Sequence, residues 1–313
     1  MPDNILVIKL GALGDFVQAL GPFAAIRDYH KDARITLLTT APYVEMAYAS
    51  GLFDRVWTDV KPRVFALKQW LGLRDWLRAG KFMRVYDLQT SERSSFYRRL
   101  FWPWQSPEWS GMASGCSHPH ANSRRDFMHT IERQAEQLNM AGIEVVPGPD
   151  VIAELAGLDA PVDGFDLSDN FALLVPGGAA HRPEKRWPDE NYATLTRQLA
   201  IRGYTPVLIG GPAEGETTET IVADCPDAKN LCGQTTLLEI AALARRASFA
   251  VGNDTGPMHL IAAMGCPSVV LYSYASDPQL CGQRGKKISH IRKPRLTDVA
   301  VDQVMAELDL SAE

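Results

Sequence analysis

Four short stretches of this chain carry residues that could do chemistry, and each follows an apolar run of strand length. The first reads Lys9-Leu10-Gly11-Ala12-Leu13-Gly14-Asp15-Phe16. Its two glycines allow a tight turn and close backbone approach to a ligand. Asp15 stands where it can either cap the following helix or serve as a general base at the end of a strand. The stretch is not a dinucleotide fingerprint: GxxGD is not GxGxxG, and the next strand ends in Leu38-Thr39-Thr40, without an acid for a ribose. NAD is therefore not expected here.

The second stretch, Pro176-Gly177-Gly178-Ala179-Ala180-His181-Arg182-Pro183-Glu184-Lys185-Arg186-Trp187-Pro188, couples a flexible strand exit to three cations. That combination suits a polyphosphate, with a solvated basic loop and a core Trp187 as the alternative. In the third, Ile209-Gly210-Gly211-Pro212-Ala213-Glu214, the acid opens a helix and either complements its dipole or accepts from ribose hydroxyls. The fourth is Gly252-Asn253-Asp254-Thr255-Gly256-Pro257-Met258-His259. Pro257 suits the first helical position, and the free amides of the first turn can hold a phosphate. For Asp254 a capping role, and for His259 a satisfied core position, remain open.

The elements that position these turns are short β-branched runs alternating with longer segments of helical period, the pattern of βα units and parallel sheets. Strands are expected at 5–9, 34–38, 55–58 and 84–88, then at 171–175, 206–209, 228–231, 249–251 and 268–271, with helices starting near Pro188, Glu214, Thr236 and Thr255. Phe16, Leu20, Phe23 and Ala24 line one face of the first helix. Between Arg133 and Arg182 there is neither Lys nor Arg, and Pro147-Gly148-Pro149, Gly157, Pro161 and Gly164 interrupt the chain, which predicts a linker over about 146–168. The expected organisation is two doubly wound Rossmann-like domains, 1–155 and 156–313, an α/β chain with ligands in the crevice outside the strand carboxyl ends.

The 313 residues suffice for two such domains. No run of about 18 apolar residues is present to cross a bilayer, and the start, Met1-Pro2-Asp3-Asn4, has no basic region of a signal peptide, so a cytoplasmic location is expected. Five scattered cysteines without CxxC spacing read as reduced and not as metal ligands. The net charge of −5 argues against nucleic acid as a partner, yet it divides into +1 over residues 1–155 and −6 over 156–313.

Taken in order, these turns resemble glycosyltransferase family 9, the ADP-heptose:lipopolysaccharide heptosyltransferases. The matching residues are Lys9 through Asp15, Pro176-Gly177-Gly178, Lys185-Arg186-Trp187-Pro188, Gly211-Pro212-Ala213-Glu214 and Asn253 through His259. The resemblance implies a GT-B fold and an inverting transferase that moves heptose from ADP-heptose to a Kdo or heptose hydroxyl of the lipopolysaccharide inner core. It further implies that Asp15 is the base and that Lys185 contacts the donor's phosphate and sugar. Glu214 matches the ribose-binding acid, Asp254 the residue holding the donor sugar, and Thr255, Gly256, Met258 and His259 the diphosphate turn. Gly177, Gly178 and Arg186 complete the expected donor site. No DxD motif is present, so no cofactor is expected, with Mg²⁺ at most assisting. Ala179-Ala180 and Pro257 depart from the family pattern by removing possible phosphate donors.

The acceptor side is expected to use the basic stretch from Lys61 to Arg99, which holds ten basic residues against three acids. Gly14, Arg63 and Arg93 are the candidate acceptor contacts. Trp70, Trp76, Phe96, Tyr97, Phe101, Trp102 and Trp104 interleave with these cations, a composition suited to peripheral contact with the inner face of the membrane, or alternatively an ordinary helix with core tryptophans. Two other function classes fit the same turns: a GT-B-type nucleotide-sugar epimerase, and a non-catalytic nucleotide-sugar-binding protein.

Overall fold

The apolar runs form the inner strands of two sheets. A computed structural model describes residues 3–103, 105–179 and 181–308, so the expectations placed on Trp104 and Ala180 fall outside the described residues. The chain divides into two compact units, Met1–Val151 and Ile152–Glu313.

In the first unit the strands are β1 (Asn4–Ile8), β2 (Arg34–Thr39), β3 (Arg55–Thr58), β4 (Arg84–Asp87), β5 (Glu108–Gly111) and β6 (His118–Pro119). They run parallel in the order β3-β2-β1-β4-β5-β6. In the second unit they are β7 (Phe171–Val175), β8 (Thr205–Leu208), β9 (Lys229–Asn230), β10 (Phe249–Asn253), β11 (Ser268–Tyr272) and β12 (Ile288–Arg292), ordered β12-β11-β10-β7-β8-β9 and again parallel. Each sheet starts at its centre, builds outward on one side for two strands, then crosses to the other side. The two topologies are therefore the same doubly wound order, and each has one switch point, between β1 and β4 and between β7 and β10.

The central strands are apolar on both faces, as helix-covered parallel sheets require: all of β7, β10 and β11 is buried, and β1 is buried from Ile5 onward. Sequence patterning misses β5, β6 and β12. The first two lack a β-branched run, and β12 is an edge strand whose Ser289, His290 and Arg292 dilute the apolar signal.

Three local expectations are corrected. The first helix is two, Leu13–Gln18 and Leu20–Tyr29, meeting at Ala19. The segment expected as a linker is a chain of short 3-10 turns (Pro149–Glu154, Ala156–Leu158, Asp163–Phe165). Ile152, Leu158 and Val162 are buried there, and the Arg245 guanidinium donates to the carbonyls of Ala153 and Leu155, so the boundary between the units falls inside the expected stretch, but from Ile152 onward the chain is packed as part of the second unit. Among the expected interfacial aromatics, Tyr97 and Phe101 are core residues, while Trp76 and Trp102 are exposed.

Candidate functional site

Each switch point gathers side chains from the two strand exits that flank it. In the first unit these are the turns after β1 and β4. Lys9 directly follows β1 and is buried, its Nζ donating to the Leu88 carbonyl at 3.0 Å, while the Leu10 amide donates to Gln89 Oε1 at 2.8 Å. The two exits are thus tied together. Gly11 has φ +109°, and a Cβ there would meet the Tyr43 ring at 2.8 Å, so the turn needs glycine on both counts.

Ala12 is the N-cap of the helix Leu13–Gln18, without a side-chain cap, which makes Asp15 the third helical residue and not the cap. It lies exposed in the first turn, where the helix dipole favours its negative charge, and Gly14 beside it is half-buried. Asp87, at the end of β4, is fully buried. Burial pushes its carboxyl up to about 6, against the pull of hydrogen bonds from Thr90, Ser94 and Gln89 and of the Lys9 charge. Burial also lowers the Lys9 ammonium, with Asp15 and Asp87 opposing and Arg133 adding to the fall.

Asp15 lines a small cavity of about 70 Å³ together with Lys9, Leu88, Gln89, Thr90, Arg125, Arg133, Gln134 and Gln137. Arg125 is held from two sides: it donates to Thr90 Oγ1 at 3.3 Å and through Nε to His120 Nδ1 at 3.4 Å. His120 is in turn 2.7 Å from Glu136, so its Nε2 carries the proton and its Nδ1 can accept. A carboxylate beside three cations can take a proton from a hydroxyl on an anionic substrate. The structure does not bring Arg63 or Arg93 into this cavity. Arg63 is exposed on the loop before the helix Leu67–Ala79, and Arg93 donates to the Pro62 carbonyl and stands over the Trp70 ring.

In the second unit the exits of β7 and β10 are stapled by Asn253. Its Nδ2 donates to the carbonyls of Pro176 and Gly177 at 2.7 and 3.0 Å, and its Oδ1 accepts from the Trp187 amide and the Tyr192 hydroxyl. Trp187 is fully buried, with its indole N–H on the Val299 carbonyl. It is a core residue, and it fixes the two cations before it. Lys185 Nζ lies 2.7 Å from Asp254 Oδ2. Burial would raise the Asp254 carboxyl, but the hydrogen bond and charge of Lys185, helped by Ser276 and His259, hold it below the usual carboxylate range. Gln283 donates to its other oxygen at 3.3 Å, and His259 Nε2 stands 4.0 Å away.

Arg186 donates to the Gly178 carbonyl at 2.6 Å and approaches Glu214 at 4.0 Å. Glu214 caps its own turn by accepting from the Gly211 amide, and its Cγ would sit 2.8 Å from a Cβ on Gly177, so Gly177 is what admits it. Thr255 is the N-cap of the helix Gly256–Ala263, which places Pro257 second and not first. Helix geometry then leaves the Gly256 and Met258 amides without intrahelical partners. The Met258 side chain is buried against Gly252, so only its backbone can reach a ligand. Among the described residues no group of three His, Cys, Asp or Glu is arranged to hold a metal ion.

The structure thus gathers Lys185, Arg186, Glu214, Asp254, Thr255 and His259 at one switch point and Asp15 at the other. Residues 70–304 match glycosyltransferase family 9 (heptosyltransferase). The chain belongs to that family. It is 38% identical over 118 residues to lipopolysaccharide heptosyltransferase 2 of Salmonella typhimurium, a stretch covering 36% of this chain and 34% of that protein. The chain thus aligns with about a third of that relative's length. Its fold matches the crystal structure of a family 9 glycosyl transferase from Veillonella parvula with a TM-score of 0.82, at 21% identity, over 97% of this chain and 95% of that one. An Escherichia coli heptosyltransferase solved with ADP superposes with a TM-score of 0.79, at 21% identity, over 99% of this chain and 100% of that one.

For this family 9 chain, sequence reasoning missed most of the Asp15 cavity: Thr90, Arg125, Arg133, Gln134 and Gln137. One signal was available. Asp87-Leu88-Gln89-Thr90-Ser91 is also a strand exit into small polar residues and a helix. The glutamines and Arg133 lie on the helix Thr130–Asn139, which is mostly polar although Gln134 and Gln137 are buried.

Proposed function

We propose that this protein is an inverting glycosyltransferase that moves heptose from ADP-heptose to a Kdo or heptose hydroxyl of the lipopolysaccharide inner core, with residues 1–155 receiving the acceptor and 156–313 the donor. The observation that carries this reading is the division of labour between the two switch points. One holds an exposed carboxylate beside cations; the other holds Lys185, Arg186 and a helix N-terminus. Displacement at an anomeric carbon passes through an oxocarbenium-like transition state and needs a base for the incoming hydroxyl and charge stabilisation for the leaving diphosphate. Asp15 takes the hydroxyl proton. Lys185, Arg186 and the Gly256 and Met258 amides meet the charge developing on ADP, and Glu214 accepts from the ribose hydroxyls. Asp254, kept ionised by Lys185, orients the donor sugar.

The protein also docks on an anionic membrane surface through the exposed Val64-Phe65 tip, with Leu67 and Trp76, among Lys61, Arg63, Lys68 and Arg74. Substituting Asp15 with Asn tests the base. Transfer from ADP-heptose to a Kdo-lipid acceptor should fall by about 10²- to 10⁴-fold with ADP binding unchanged. Wild-type rates in that variant would remove Asp15 from the chemistry, and turnover of a nucleotide sugar without acceptor would favour an epimerase instead.

A further inference from the structure

Gln134 is 4% exposed, and neither its amide nitrogen nor its carbonyl oxygen has a hydrogen-bond partner. A buried carboxamide left unpaired at both ends is unfavourable, and native proteins rarely keep one without a reason. The space it borders is the Asp15 cavity, whose wall also holds Arg125 and Arg133. Arg125 is aimed by an arrangement with no other evident use. Thr90, β-branched yet held at φ +46°, offers its hydroxyl to one end of the guanidinium, and His120, oriented by Glu136, accepts from Nε. A strained non-glycine residue of this kind persists where its surroundings over-determine it.

We propose that Gln134 is a specificity-determining residue for the acceptor: its carboxamide donates to and accepts from hydroxyls of an acidic sugar whose carboxylate pairs with Arg125. This rests on the acceptor-side reading given above. It assigns the cavity two complementary tasks, charge recognition by a planar guanidinium and hydroxyl recognition by a neutral donor and acceptor. A site built to hydrogen-bond a substrate hydroxyl discriminates strongly against analogues lacking it, because its own polar groups are then left unpaired.

The test measures binding of a soluble Kdo glycoside, binding of ADP and thermal stability for wild type, Gln134→Met and Gln134→Glu. The methionine variant keeps the volume and removes both unpaired atoms. It should weaken the Kdo glycoside about tenfold, the weight of one or two neutral hydrogen bonds, with ADP affinity unchanged and Tm unchanged or raised. The glutamate variant should bind the acidic glycoside more weakly still. Unaltered glycoside affinity in both variants overturns the proposal, as does a lowered Tm with equal losses for glycoside and ADP, which is the signature of a structural role. Because binding is read apart from transfer, a wild-type protein that binds the glycoside but transfers no heptose would sink the transferase reading and leave this result standing.

Discussion

Replacing Lys185 with Met should convert Asp254 from an ionised, paired carboxylate into a buried charge without its main partner. The pair is 2.7 Å apart, with side-chain exposures of 14% and 8%. At that distance and an effective dielectric of about 20 the gross attraction is about 6 kcal/mol. The net cost of removing one partner from such a pair is about 3–5 kcal/mol, and we place this one near 3 because Gln283 and His259 stay beside the carboxylate. For a unit of this size that is a fall in Tm of about 6–12 °C.

The pH dependence decides the cause. In the wild type the folded Asp254 pKa is depressed, so its contribution is present above the unfolded value of about 3.9 and is lost as pH falls through the folded one. In Lys185→Met burial acts unopposed by Lys185 and the carboxyl is raised. Protonation then relieves the variant as pH falls, so the gap between the two proteins is widest at pH 7 and narrows toward pH 4. Denaturant melts of both proteins across that range measure it, and Lys185→Met with Asp254→Asn should recover most of the loss at pH 7. A gap of under about 1 kcal/mol, a gap independent of pH, or a double variant no better than the single would refute the claim that this pair holds a buried charge.

Two further outcomes follow from other parts of the fold. Asp87 has a raised folded pKa of about 6, so its folded state holds a proton that the unfolded state releases, and stability should decline as pH rises from about 4 to 6. Asp87→Asn keeps the acceptor oxygen for Thr90 and Gln89, and its urea midpoint should lose that decline, a difference of about 2–3 kcal/mol by pH 7; an unchanged slope would show that Asp87 does not titrate there. Val64→Ser with Phe65→Ser, at residues 82% and 97% exposed, should abolish sedimentation with anionic vesicles while leaving Tm and ADP binding unchanged, and retained sedimentation would place the membrane contact elsewhere.

What was legible in the sequence is set by how each element earns its place. The turns after β1, β7, β8 and β10 announce themselves because glycine, a capping residue or a proline is demanded by backbone geometry, and such demands are local. Lys185, Glu214 and Asp254 were legible for that reason. The wall opposite Asp15 is assembled by pairings that have no local signature. Gln134 and Gln137 lie on the buried face of the helix Thr130–Asn139, where a polar pair breaks the rule that buried helix faces are apolar. Thr90 occupies a left-handed position that its β-branched side chain disfavours. Arg125 belongs to a loop whose meaning depends on His120 and Glu136, five and eleven residues away in opposite directions.

These are violations of pattern, and a reading built on pattern passes over them. The doubly wound order supplies the corrective. Both sheets place their single crossover between the first and fourth strands, so the exit of the fourth strand in each unit must border the crevice whatever its sequence. In the second unit that exit is Asp254, found because a cap and a proline mark it. In the first it is Asp87 through Ser91, equivalent in topology and unmarked in sequence. The same topological rule that locates Asp254 therefore points to Thr90, and from Thr90 the hydrogen bond to Arg125 leads into the cavity that Gln134 lines.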